Sequence, residues 1–95
     1  MYQCISVAHL KEGTLDTVLE AAKILVEATR KEPGLIYYNV VLSDDNPDTI
    51  IMVEKWEEKA NFIAHVQGAP CAAFGKVIDP NCAEPSIINA GEMII

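Results

Sequence analysis

The 95-residue chain has few basic residues and no long apolar run, and each absence excludes a class of function. Lysine and arginine number 7 against 14 aspartates and glutamates, a formal net charge of −7. Such a chain repels a phosphate backbone, so we expect no nucleic-acid partner. No apolar run approaches the ~20 residues that a membrane-spanning helix needs, so we expect no membrane partner. The segment Met1 to Ile5 has no secretory-signal pattern, which favours a cytoplasmic protein.

The cysteines do not have the spacing of a zinc site, and the glycines do not have the spacing of a phosphate-binding or dinucleotide-binding loop. The three cysteines, Cys4, Cys71 and Cys82, are odd in number and fit no zinc-ligand spacing. Without a secretory signal we expect reduced thiols, and a redox role for Cys71 or Cys82 stays open beside simple packing. The five glycines fit neither a P-loop nor a dinucleotide fingerprint. We therefore expect no metal and no cofactor.

Hydrophobic residues make up 51% of the chain and charged residues 22%, which is apolar for one small domain spanning residues 1–95. Periodicity of 2 and 3.6 residues predicts strands and helices. The predicted strands are Tyr2–His9, Leu35–Leu42, Thr49–Trp56 and Ser86–Ile95. Three helices are predicted. The first begins after Thr14 and ends near Glu32, the second runs from Glu57 to about Val66, and the third runs from Ala69 to Val77. The segment Ile78-Asp79-Pro80-Asn81 is predicted to break the third helix. The order β-α-β-β-α-β is typical of an α+β, ferredoxin-like antiparallel sheet.

Both faces of the predicted central hairpin are apolar. One alternation carries Ile36, Val40, Ile50 and Met52, and the other carries Leu35, Val41, Ile51 and Val53. An antiparallel sheet with one solvated face would alternate apolar with polar residues. We therefore expect helices on one face and a second copy of the chain on the other, in a homodimer packed through the sheet face, because soluble monomers seldom expose so large an apolar patch. Tyr37 should point towards that interface.

A set of short motifs follows the predicted elements in order. Glu32-Pro33-Gly34 precedes Tyr38 by four residues, Glu54-Lys55-Trp56 ends the hairpin, Ala64-His65 lies in the second helix, and Phe74 lies beyond it. Together, over nearly the whole chain, they resemble the antibiotic biosynthesis monooxygenase family of dimeric α+β barrels. The resemblance implies a homodimeric barrel. Enzymes of that family oxidise electron-rich aromatics such as quinols and anthrones with dioxygen and no cofactor.

One segment departs from that pattern. Family members often carry a second histidine in a Ser-Pro-His-Phe type stretch, whereas this chain has Gly68-Ala69-Pro70-Cys71. A mechanism that needs two imidazoles in the cleft is therefore in doubt. Haem-degrading relatives also match poorly, because the following helix carries no axial histidine and the first strand carries no asparagine.

His65 is the candidate catalytic base, since an imidazole with its ordinary pKa of ~6.5 titrates near working pH. It follows Phe62 by three residues, so both side chains share one side of the second helix. The alternative is a histidine that only packs and hydrogen-bonds at the helix flank. His9, the other imidazole, lies at a strand end, where we expect a solvated or turn role.

Tyr38 and Glu54 fall opposite each other if the hairpin turns near Asn46, with side chains ~5 Å apart. They could orient a substrate hydroxyl or hold His65 as further catalytic residues, or they could only satisfy each other on a covered face. Trp56, Phe62 and Phe74 could wall a pocket that binds a small aromatic ligand, or they could be ordinary core. The working hypothesis is a cofactor-independent monooxygenase acting on a small quinol-like or polyketide-like aromatic. The alternative is a non-catalytic ligand-binding or stress-associated dimer of the same superfamily.

Overall fold

Four strands form one antiparallel sheet, with three helices on one of its faces, in a computed structural model that describes residues 1–95. In chain order the elements are β1 (Tyr2–His9), α1 (Leu15–Thr29), β2 (Leu35–Leu42), β3 (Thr49–Trp56), α2 (Lys59–Val66), α3 (Ala69–Asn81) and β4 (Ile87–Glu92). The strand order is β2-β3-β1-β4. This confirms the predicted ferredoxin-like α+β fold. None of the helices has the length and apolar character needed to cross a bilayer.

The core lies between the helices and the even-numbered side chains of β1 and β3. Those side chains are buried along both strands, and they include two polar groups in the middle of the sheet, Ser6 and Glu54. From α1 the buried side chains are Val18, Ala22, Leu25 and Thr29, as 3.6-residue periodicity requires. The helix-covered face therefore holds both the core and a polar centre.

The opposite sheet face is apolar and open. Ile5 on β1, Val41 on β2 and Ile87 on β4 are 50%, 44% and 55% exposed. All six residues of β4 are exposed. Two-sided apolar character is therefore present, as the sequence predicted.

The predicted alternation of β2 is wrong at its first two residues. Leu35 pairs with Trp56 and Tyr37 pairs with Lys55, so Ile36 is an extra residue in β2. This β-bulge turns Leu35 towards the core and leaves Ile36 44% exposed. The remainder of the strand follows the predicted alternation.

The ends of α1 and α2 differ from the predicted bounds by two or three residues. The first helix ends at Thr29 rather than near Glu32, because residues 30–34 form the turn in which Gly34 has a φ of +81°. The second helix begins at Lys59 rather than Glu57, with Glu58 as its N-cap in a capping box with Asn61.

The third helix does not break at Ile78 but continues to Asn81. Ile78 is buried, so packing keeps the helix regular through it. Pro80 sits in the last turn, so its missing N–H and its ring disturb only the end of the helix. The Asn81 side chain donates to the carbonyl of Val77 (2.7 Å), and the Lys11 amine donates to that of Pro80 (3.0 Å). These contacts satisfy carbonyls at the helix end.

The last strand is shorter than the predicted Ser86–Ile95. It pairs only with β1, from Val7 opposite Ile87 to Tyr2 opposite Glu92. The last contact joins the Met93 amide to the Met1 carbonyl at 2.9 Å. Residues 93–95 have no strand structure, so β4 ends at Glu92.

Candidate functional site

A cavity of about 180 Å³ lies between the sheet and the helices α2 and α3. Ten of its 15 lining residues are hydrophobic. Five of the six residues predicted for the site line it: Tyr38, Glu54, Phe62, His65 and Phe74. The exposed lining residues Val66, Asp79 and Ile88 mark its mouth, between the end of α2, the end of α3 and β4.

His65 lies at the inner wall of this cavity and is only 2% exposed. Helix α2 buries Phe62 and His65 on the same side, as their spacing of three predicted. The imidazole packs between two aromatic rings, with centroid distances of 4.9 Å to Trp56 and 5.8 Å to Tyr38. The orientation of the ring is therefore fixed by packing as well as by hydrogen bonds.

The Nδ1 atom of His65 faces the carboxylate of Glu32, at 3.1 Å from Oε1 and 3.2 Å from Oε2. A carboxylate only accepts hydrogen bonds, so Nδ1 carries the proton. In a neutral ring Nε2 is then the unprotonated nitrogen, with its lone pair available to accept a proton. Glu32 thus selects the tautomer that a general base in the cavity requires.

The turn Pro33-Gly34 brings Glu32 to the helix that carries His65. Gly34 has a positive φ, which non-glycine residues adopt only with strain. Its carbonyl accepts from the Glu57 amide at 2.8 Å, and a Cβ at this position would collide with the Asn61 side chain. The turn therefore packs directly against the start of α2, and this contact sets the distance between Glu32 and His65.

The Nε2 atom of His65 faces a thiol and a second carboxylate. It lies 3.1 Å from Cys71 Sγ and 3.9 Å from Glu54 Oε1. Cys71 is the third residue of α3 and lines the cavity. Glu32 lies on the other side of the ring, so these side chains do not converge on one point, and no group of three or more forms a metal site.

Glu54 is paired with Tyr38 across the hairpin, as the sequence predicted. Its Oε1 accepts from the Trp56 indole Nε1 at 2.9 Å, and the residue is only 4% exposed. Burial raises the pKa of this carboxyl above its usual range, although the Trp56 hydrogen bond and nearby His65 act in the opposite direction. Glu54 therefore retains its proton to a higher pH than an exposed glutamate.

Tyr38 and Trp56 surround the imidazole without bonding to it. The Tyr38 hydroxyl donates to Met52 Sδ at 3.6 Å rather than to Glu54. Burial, followed by the Glu54 charge, raises the pKa of this phenol, so Tyr38 stays protonated and does not act as a base. Trp56 is fully buried and does not line the cavity, because it lies behind His65 and Glu54.

Two residues of this cluster were not predicted to contact His65. Glu32 was only the first residue of a turn motif in the sequence. Cys71 had an open redox role and lay in the segment that lacks a second histidine, but it was not placed beside His65. The available signal for Glu32 was its position directly before Pro33-Gly34, because a Pro-Gly turn reverses the chain and can bring the preceding side chain close to a neighbouring element. Nothing in the spacing of Cys71 and His65, six residues apart across a helix break, indicated contact.

The profile of the family described as antibiotic biosynthesis monooxygenase matches residues 1–77. No curated protein matches the chain. Among solved structures, a Nitrosomonas europaea protein assigned provisionally to the antibiotic biosynthesis monooxygenases has a TM-score of 0.93 at 22% identity, with 100% of both chains covered.

Two further structures extend this likeness. A Bacteroides thetaiotaomicron protein of unknown function, named a possible oxidoreductase, has a TM-score of 0.88 at 23% identity over 97% of this chain and 96% of its own. A Shewanella oneidensis protein has a TM-score of 0.86 at 26% identity over 95% of this chain and 87% of its own. The two likenesses under 25% identity show the fold alone.

The matched segment contains the cluster described above. Residues 1–77 run from β1 into α3 and include Glu32, Tyr38, Glu54, His65 and Cys71. Only the end of α3 and β4 lie outside the match. The chain therefore belongs to the antibiotic biosynthesis monooxygenase family.

Proposed function

We propose that this protein is a cofactor-independent monooxygenase that oxidises a small quinol with dioxygen, with His65 as the base. The observation that carries the proposal is the pairing of Glu32 with Nδ1 of His65, which leaves Nε2 unprotonated and facing the cavity, where a substrate that displaces the Cys71 thiol could give it a proton. Removing a phenolic proton makes a quinol a much stronger electron donor, and the resulting anion reduces dioxygen itself. A hydroquinone and O2 would give a hydroxyquinone and water.

The size and charge of the cavity favour a single neutral ring. A volume of about 180 Å³ is close to the ~150 Å³ of an apolar cavity known to accept benzene. The lining carries the acidic residues Glu54 and Asp79 and no lysine or arginine. An anionic substrate would be repelled, whereas a quinol is neutral and could donate its hydroxyl hydrogen bonds to these carboxyl groups. A larger polyketide-like substrate would need the cavity to widen.

The remaining predicted residues have separate parts in this proposal. Phe62 and Phe74 would contact the ring of the substrate as pocket walls. Tyr38 and Glu54 would orient a substrate hydroxyl, with Tyr38 as donor and the raised pKa of Glu54 allowing it to donate or accept. Trp56 would shape the pocket from behind by holding His65 and Glu54.

We further propose a single domain that acts as a cytoplasmic homodimer through its open sheet face. The apolar side chains of Ile5, Val41 and Ile87 on that face support this assembly. The helices, and with them the cavity, lie on the other face. The three free thiols fit a reducing compartment.

The second candidate is a binding protein of the same superfamily without catalysis. The observation that favours it is that both ring nitrogens of His65 already have neighbours within 3.2 Å, in a ring that is almost fully buried. A satisfied imidazole of this kind could serve as structure alone. A substrate must displace the Cys71 thiol from Nε2 before His65 can act on it.

The test is oxygen uptake by metal-free protein on a panel of hydroquinones and anthrones. Wild type and His65→Ala are run beside the uncatalysed rate, and His9→Ala serves as the matched control because His9 lies at the far end of β1, bonded to Thr49. We expect His65→Ala to lower turnover by about 10²-fold or more, the scale of general-base catalysis. His9→Ala should keep the wild-type rate.

Ligand binding to the same variants separates the two candidates. A monooxygenase binds its quinol in wild type and in His65→Ala but oxidises it only in wild type. A binding protein shows affinity in both and oxygen uptake at the blank rate in both. Uptake that survives His65→Ala would remove His65 from the mechanism.

A further inference from the structure

Two side chains of the cavity, the imidazole of His65 and the thiol of Cys71, are in contact with each other, and the carboxylate of Glu32 contacts the imidazole from outside the cavity lining. Glu32 holds Nδ1 of His65 at 3.1 Å, and Nε2 of the same ring lies 3.1 Å from Cys71 Sγ. With Nδ1 protonated, Nε2 accepts from the S–H group. A nucleophile, a base within hydrogen-bond reach and a third group that orients the base are the parts of an activated thiol. The oxygen chemistry proposed above makes no use of the sulfur.

Cys71 is the only thiol placed both beside a base and in reach of a ligand. It is partly exposed and lines the cavity. Cys4 also lines the cavity, but it is buried and its Sγ contacts Ser6 Oγ at 3.8 Å. Cys82 is partly exposed outside the cavity, and its thiol contacts Ser86 Oγ at 3.7 Å rather than an imidazole nitrogen.

We propose that Glu32, His65 and Cys71 form a nucleophilic triad whose thiol adds to neutral, soft electrophiles that enter the cavity, namely quinones and other α,β-unsaturated carbonyl compounds. The class follows from the soft sulfur nucleophile, the small apolar space and the absence of any cationic side chain in its lining. This activity requires no dioxygen and stands whether or not the cavity oxidises quinols.

The step is a conjugate addition in which every atom is retained. The S–H bond breaks as Nε2 of His65 takes the proton, and the sulfur lone pair forms a C–S bond to the β-carbon of the electrophile. The electron pair of the C=C bond moves towards the carbonyl oxygen as an enolate. The imidazolium, stabilised by Glu32, returns its proton to this enolate. The product is a thioether on Cys71, and His65 is neutral again.

The resting thiol depends on His65 for this reactivity. Burial, followed by the charges of Glu54 and Glu32, raises the pKa of Cys71 to about 12. Only thiolates are good nucleophiles, so without a base Cys71 should react more slowly than an ordinary thiol. With His65 in contact, proton removal occurs within the addition step itself. We therefore expect Cys71 to react faster than Cys82 in wild type and more slowly than Cys82 when the imidazole is removed.

The test measures the alkylation rate of each cysteine by N-ethylmaleimide in anaerobic buffer at pH 7, by peptide mass spectrometry on the folded protein. In wild type we expect Cys71 to react at least about tenfold faster than Cys82, within the range of general-base assistance. In His65→Gln, Cys71 should become slower than Cys82 while the Cys82 rate stays unchanged. Iodoacetate, an anion, should lose the preference for Cys71 in wild type.

A second variant keeps the test decisive if His65→Gln does not fold. Glu32→Gln retains the imidazole but removes the charge that stabilises the imidazolium, so the Cys71 rate should fall while the Cys82 rate does not. A wild-type Cys71 rate at or below that of Cys82 overturns the proposal. A Cys71 rate that neither variant lowers also overturns it, because the base would then have no part in the reaction.

Discussion

At the scale of single residues, Glu54 carries a carboxyl group whose charged form is disfavoured by burial in the candidate site. Its carboxyl sits in the middle of the sheet, only 4% exposed, with one indole hydrogen bond and an imidazole 3.9 Å away. Burial disfavours its charged form, so its pKa is raised in the folded protein. Folding is therefore favoured by protonation of Glu54. The stabilisation is fully present below the ordinary carboxyl pKa of ~4.3 and is lost as pH rises through the raised value.

Glu54→Gln should remove this dependence, because an amide of similar shape does not ionise. We expect the free energy of unfolding of the variant minus that of wild type to increase from pH 4 upwards and to level off above the raised pKa of Glu54. Urea denaturation at intervals between pH 4 and pH 8 measures the difference. Glu57→Gln, which changes an exposed carboxylate three residues away, is the matched control and should give a flat difference.

The sequence could predict the partner of Glu54 across the hairpin but not the side chains that surround its carboxyl group. The Tyr38–Glu54 pairing followed from the turn position and a spacing of two residues per repeat, which is local information. The contacts of Glu54 with Trp56 Nε1 and His65 depend on side-chain rotamers and on how α2 packs. The Glu32–His65 contact joins residues 33 positions apart and needs the whole fold.

At the scale of elements, the contact between the Pro33-Gly34 turn and α2 positions the candidate site. The Gly34 carbonyl accepts from the Glu57 amide, and the Asn61 side chain accepts from the Glu58 amide at 3.1 Å to cap the helix. Asn61 fills the space where a Cβ on Gly34 would lie. Position 34 therefore requires glycine for two reasons: its φ is positive, and Asn61 leaves no space for a Cβ.

Gly34→Ala should destabilise the protein more than Gly13→Ala does. Both glycines have a positive φ, +81° and +82°, but nothing lies within 4 Å of a Cβ at Gly13. Backbone strain alone costs ~1–2 kcal/mol, and the Asn61 overlap should add ~1–3 kcal/mol at Gly34. Urea denaturation of both variants gives the comparison, and equal losses would refute a role for the Asn61 contact.

Element types followed from the sequence more reliably than element ends. All seven elements follow from periodicity, because the apolar stripe of α1 and the β-branched runs of the strands are long and regular. The errors fall where long-range packing overrides a local signal. Ile78 is buried, and α3 continues past it through Pro80. The bulge at Ile36 changes which face the first residues of β2 point to. The pairing of β4 with β1 ends at Tyr2 opposite Glu92.

At the scale of the whole molecule, the open apolar face of the sheet lies on the side away from the candidate site. The apolar residues Ile5, Val41 and Ile87 lie on the face opposite the helices, and the candidate site lies beneath the helices. A dimer formed through this face would bury the exposed apolar residues without filling the cavity. Changes at the interface and changes in the site should therefore be separable by experiment.

Ile5→Lys should convert the proposed dimer into a monomer, because a charge at the centre of an apolar interface loses its hydration without gaining a partner. Ile24→Lys is the control, since Ile24 is 72% exposed on α1, away from the sheet. Light scattering at micromolar concentration should give a dimer mass for wild type and Ile24→Lys and a monomer mass for Ile5→Lys. A monomer mass for wild type would contradict sheet-to-sheet assembly.

The position of Trp56 gives this protein a built-in optical probe. It is the only tryptophan in the chain, it is fully buried, and its ring packs at a tilt against His65 while its Nε1 donates to Glu54. Light emitted by this indole therefore originates at the back wall of the candidate site. Quenching by a quinone, or a change in the emission maximum when a ligand displaces water, would report occupancy of the cavity without any added label.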